Sequence, residues 1–159
     1  MVASVASTSA ILVSFLLAAI LEVIELPDLV AFLRPEWFVL VLIYWLLRHP
    51  EKVGIVTGLL TGLIMDVISG SYLGVHMLSM SLICYLVLTM HKRLVMFPVA
   101  QQSLVIFFIV GIQLMVVYLL RSVLSVSDIG LDYLWQAFTS ALMWPFVLIL
   151  SDRLAFALR

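Results

Sequence analysis

The sequence predicts an all-α membrane protein: a single compact bundle of six transmembrane helices in one integral membrane domain, residues 1–159. Three observations carry that expectation. The 159 residues are 65% hydrophobic and only 11% charged, against roughly 25% charged residues in soluble chains. A soluble domain of this length would expose apolar patches that aggregate. The apolar residues arrive in long blocks rather than in alternation, which favours helices in lipid over barrel strands. Net charge is −1, so no basic surface points to nucleic acid. The single cysteine, Cys84, lies in an apolar run and excludes an internal disulfide.

Taken in order, the expected spans are 4–24, 36–47, 53–68, 72–90, 99–120 and 133–154. The first lacks a basic leader and is longer than a signal-peptide core, so it reads as an uncleaved span. Its Ala6, Ala10, Ser14 and Ala18 share one face, with Glu22 next in the series. The second is short: residues 37–47 cover about 16 Å as a helix. Pro35 suits a first helical turn, so the expectation is a short helix starting there. The third is bounded by Lys52 and Ser69-Gly70-Ser71, and carries Gly54, Gly58 and Gly62 at four-residue spacing, followed by Asp66. Residues four apart lie on one face, so these form a smooth groove ending in a carboxylate. Such a groove serves either as an internal packing seam or as a docking face for another protein. Thr57 and Thr61 flank it and are expected to supply interhelical hydrogen bonds. In the fifth span Gln113 needs a polar partner, and in the sixth Pro145 removes a backbone donor.

Orientation follows the basic residues. Arg48, Lys52, Lys92, Arg93, Arg153 and Arg159 fall on one side, and only Arg34 and Arg121 on the other. Both termini are therefore expected in the cytoplasm. Glu22, Glu25, Asp28, Glu36, Asp128 and Asp132 cluster on the outer side, where 121–131 forms the longest loop. Trp37 and Trp135 suit the outer aromatic belt and Trp45 the inner one.

A carboxylate at the centre of a lipid-facing helix costs about 2.5–3.5 kcal/mol. Asp66 avoids the centre, lying about 21 Å along the helix from Lys52. His76 comes to a similar depth across the turn, so Glu22, Asp66 and His76 are candidates for an outer polar network. For Asp66 the favoured reading is a cap on the turn or on the start of span four; the alternative is a mutual hydrogen bond with His76 that carries a protonation-linked role. Arg34 is expected to pair with Glu22, Glu25 or Glu36 and close the outer end. No metal-ligand spacing, phosphate loop or serine with a nearby base is evident, so neither cofactor nor enzyme activity is expected.

The segment Arg34-Pro35-Glu36-Trp37, running on to Tyr44-Trp45, resembles the start of span two in the bacterial rod shape-determining MreD family. Residues 62–70, followed by Leu73-Gly74, resemble that family's span-three signature, and Leu142-Met143-Trp144-Pro145 its last span. The resemblance implies a non-enzymatic scaffold in the bacterial inner membrane that helps organise peptidoglycan synthesis and rod shape. The implied partners are the bitopic protein MreC, the actin-like MreB, the glycosyltransferase RodA and an elongation transpeptidase. The basic inner loops are expected to help anchor cytoplasmic partners or anionic membrane lipid, and a second copy of the chain is a further candidate partner. The resemblance also implies a fold similar to the six-helix substrate-binding subunits of energy-coupling factor transporters. The expected partner surface is Gly54, Gly58, Gly62 and Asp66, with Arg34 and Trp37 near the outer end. The competing class is a small-molecule binding subunit with Asp66, His76, Glu22 and Arg34 around an outward-open pocket.

Overall fold

The shortest helix occupies the centre. A computed structural model describes residues 8–24, 33–124 and 132–157, with the side chains of 132 and 133 outside that set. Glu25, Asp28 and Asp128, most of the 121–131 loop and Ala6 also lie outside it. The helices are α1 (Thr8–Val23), α2 (Trp37–Arg48), α3 (Ile55–Ile68), α4 (Val75–Leu94), α5 (Val99–Val123) and α6 (Asp132–Ala157). No strand occurs among the described residues. Helix α2 packs on α1, α4 and α6, while α3 packs on α4, α4 on α5, and α5 on α6. The outer helices thus form an arc in the order α3, α4, α5, α6, α1 around α2. Its two ends, α1 and α3, lack the extensive packing found between the other neighbours.

Three helices, α4, α5 and most of α6, are long and apolar enough to cross a membrane, and α1, α2 and α3 are shorter. With 12 residues, α2 reaches about 18 Å, well short of a hydrocarbon core of about 30 Å. Every residue from Phe38 to Leu46 is buried. Protein, rather than lipid, therefore surrounds it, and its length does not have to match the bilayer. This enclosure also corrects the belt position expected for Trp45. Its indole is fully buried, and Nε1 donates to Ser14 Oγ at 2.6 Å. Ser14 Oγ in turn donates to the Ile11 carbonyl at 2.7 Å.

The small-residue face of α1, Ala10, Ser14 and Ala18, is buried. It serves α2, as the Trp45–Ser14 bond shows, and does not meet the glycine face of α3. Both ends of α2 are tied to α6. At its start the Glu36 backbone N–H donates to Ser140 Oγ at 2.9 Å. At its end Tyr44 Oη donates to Asp152 Oδ1 at 2.6 Å, and Arg48 Nη2 to Asp152 Oδ2 at 2.8 Å. Gln102 joins α5 to its surroundings: Nε2 donates to the Leu94 and Phe97 carbonyls, and Oε1 accepts from Trp144 Nε1 at 3.2 Å.

Candidate functional site

The α3–α4 hairpin is built from its glycines. Gly62 lies so close to α4 that an added Cβ would sit 2.5 Å from Met77 Cα and 2.6 Å from the His76 carbonyl oxygen. At Gly58 it would collide with Cys84 Sγ and lie 3.1 Å from the Met80 carbonyl oxygen. Gly58 and Gly62 therefore form an internal seam, filled by α4 of the same chain. Gly54 differs, with nothing within 4 Å of such a Cβ. It stands at the helix start, where its N–H donates to Thr57 Oγ1 at 3.4 Å. The threonines stay local as well. Thr61 Oγ1 donates to the carbonyls of Thr57 and Gly58, at 2.9 and 3.0 Å, instead of bridging to another helix.

The turn after α3 explains Asp66. Gly70 adopts φ +58°, a left-handed conformation that ends the helix at little cost for glycine. Ser71 N–H then bonds the Asp66 carbonyl at 3.1 Å, and Gly70 N–H the Val67 carbonyl at 3.4 Å. That pair of bonds is a Schellman closure. Gly74, with φ +108°, opens α4; residues 72–74 therefore belong to the turn, although the sequence placed 72 inside the span.

The Asp66 side chain sits in the concavity this turn creates, fully buried. Its Oδ1 accepts from Ser71 Oγ at 2.8 Å, His76 N–H at 2.9 Å and His76 Nδ1 at 2.8 Å. Its Oδ2 accepts from Gly74 N–H at 2.8 Å and Met77 N–H at 3.4 Å. One carboxylate thus satisfies the open donors of the first turn of α4, at the positive end of the helix dipole. The expected Asp66–His76 bond exists, and so does the cap. Glu22 stands apart from both of them in a separate pair.

That pair joins Glu22 Oε1 to Arg34 Nη2 at 3.3 Å, with the side chains only 11% and 27% exposed. Of the three acids expected for Arg34, Glu22 is the partner. Trp37, at the start of α2, is half-buried and packs against the core. Asp66 and His76 are enclosed between α3 and α4 and do not join Glu22 and Arg34 around one pocket. Gln113 is fully buried, yet neither amide atom has a hydrogen-bond partner among the described residues. No group of three or more potential metal ligands occurs among the described residues.

Sequence reasoning missed Asp152, Ser140 and Gln102. Each is polar and sits in an apolar helix, which was the available signal. Their most distant partners, however, lie 108, 104 and 42 positions away in the chain.

An all-helical bundle with a buried central helix, membrane-length apolar helices and charges gathered at the helix ends defines an integral membrane protein. Comparison with known proteins makes this specific. Residues 4–154 match the family described as rod shape-determining protein MreD. The curated rod shape-determining protein MreD of Haemophilus influenzae is 35% identical over 144 residues, covering 91% of this chain and 89% of that protein. The chain belongs to the MreD family, and its role is in cell shape. The family is not known as one of enzymes. No solved structure matches the chain.

Proposed function

We propose that the protein is a non-enzymatic membrane scaffold of the bacterial cell-elongation complex. On this reading it binds an MreC-type bitopic protein and helps organise peptidoglycan synthesis, with MreB, RodA and an elongation transpeptidase held directly or through the complex. Membership of the MreD family is the observation that carries it. The protein lies in the bacterial inner membrane and crosses it six times, with both termini in the cytoplasm. The distribution of basic residues supports that orientation. The six-helix layout is proposed to be that of energy-coupling factor substrate-binding subunits, a likeness of fold that transfers no function.

The seam geometry sharpens the partner surface. Because α4 fills the side of α3 that carries Gly58, Gly62 and Asp66, a partner helix reaches α3 by its opposite side. Val56, Leu60, Ile64 and Val67 are exposed there, with Gly54 at one end and Arg34 and Trp37 toward the other. Gly58, Gly62 and Asp66 then act by holding that face in place.

The test is extraction of the tagged protein in mild detergent, with co-purifying chains identified by mass spectrometry. MreC-like and wall-synthesis proteins in defined ratio are expected, and should be lost when Val56, Leu60 and Ile64 are together replaced by Ala. Recovery of ATP-binding subunits with no wall-synthesis partner would sink the scaffold and favour the small-molecule binding class.

A further inference from the structure

The ends of α1 and α3 border a half-open cavity of about 230 Å³ lined by Glu22, Val23, Arg34, Met65, Ile68 and Ser69. Two of its polar atoms are unsatisfied. Glu22 Oε2, an acceptor, and Arg34 Nε, a donor, are buried with no hydrogen-bond partner among the described residues. They belong to the two side chains already paired through Oε1 and Nη2. Buried polar atoms rarely go unpaired, because they lose their water without compensation. The cavity therefore suits a group that accepts from a guanidinium and donates to a carboxylate at once.

Charge narrows the choice. A simple anion would face the Glu22 carboxylate, and a simple cation the Arg34 guanidinium. A zwitterion satisfies both, with phosphate oxygen on Arg34 and ammonium N–H on Glu22. The remaining walls, Val23, Met65 and Ile68, are apolar. Val23 and Ile68 are also exposed on the outside of the bundle, as is Ile20 a turn away. An acyl chain thus has an apolar path at the edge where α1 and α3 lack close packing.

We infer that the Glu22–Arg34 cavity between α1 and α3 binds the headgroup of an aminophospholipid of the phosphatidylethanolamine type, its chains lying along that edge. A choline headgroup has the same phosphate but no N–H to give Glu22, which makes choline lipid the discriminating control. The inference does not rest on the scaffold reading.

The full-length protein is placed in nanodiscs of equal phosphatidylethanolamine and phosphatidylcholine, and the lipid it retains on release is identified by native mass spectrometry. Ethanolamine lipid should be enriched about tenfold or more, as expected for a charge-assisted hydrogen bond that choline cannot make. Glu22→Gln should remove that preference. Since this change also breaks the ion pair, Ile68→Trp serves as a second variant that fills the cavity and leaves both charges in place. It should remain folded by thermal unfolding and lose the enrichment. Equal retention of the two lipids overturns the inference, as does unchanged enrichment in folded Ile68→Trp. Crosslinking from position 68 to a segment of a co-purifying protein, in place of lipid, also overturns it.

Discussion

Helices α2 and α3 have 12 and 14 residues, and both fall short of a bilayer's thickness, yet they meet the shortfall differently. Helix α2 is enclosed by α1, α4 and α6, and every residue of its middle is buried. Helix α3 is fastened along one side only, by a backbone-close glycine seam and a carboxylate that caps its neighbour. The first arrangement spreads stability over many side-chain contacts. The second concentrates it in a few positions where geometry allows no substitute, and leaves the other side of the helix free. An enclosed helix is a core element; a helix fastened on one side can offer a face to a partner.

The comparison predicts an ordered set of effects. The largest should come from Gly62→Leu, which drives a side chain into the α4 backbone. A loss of about 3 kcal/mol or more is expected, read as a failure to purify as a monodisperse species in detergent while membrane insertion persists. Asp66→Ala should follow, at about 3 kcal/mol, because it leaves His76 and three backbone donors unpaired. Thermal unfolding checks this, and Asp66→Asn, which keeps the acceptor oxygen but loses the charge, should cost less. In the enclosed helix, Trp45→Phe should lower stability by only about 2 kcal/mol, combining a lost hydrogen bond to Ser14 with a smaller ring in a core that can partly relax. A Trp45→Phe protein that fails as completely as Gly62→Leu would show that α2 is no more tolerant than α3. The smallest effect belongs to the opposite end of the bundle, where Arg48 and Asp152 pair at 50% and 49% side-chain exposure. Arg48→Gln should cost under about 1 kcal/mol, and the shift in unfolding temperature should shrink as salt is added.

The α3–α4 hairpin was largely legible because its instructions are local. Gly62, Asp66, Gly70 and Gly74 lie within thirteen residues of one another and act through turn geometry and helix spacing. The Glu22–Arg34 pair was legible for a similar reason, since charges near a membrane surface seek partners and few were available. Trp45 was not legible. An aromatic residue near the end of an apolar run fits an interfacial belt as well as a core, and only the packing of α1 shows that Ser14 takes its N–H. Gln113 marks another boundary: its type called for a polar partner, but neither amide atom finds one among the described residues.

Composition and the placement of charge determined, without coordinates, that this chain is an all-helical membrane protein. Helix-period and turn signals determined where its elements begin and end to within a few residues. These are properties of short stretches of chain, governed by backbone geometry and the cost of exposing polar groups to lipid. Which side of α3 is occupied, which helix lies at the centre and which polar groups meet across the bundle were decided by tertiary structure. Those outcomes depend on how closely helices far apart in sequence can approach, and that distance is set by the shapes of all the side chains between them.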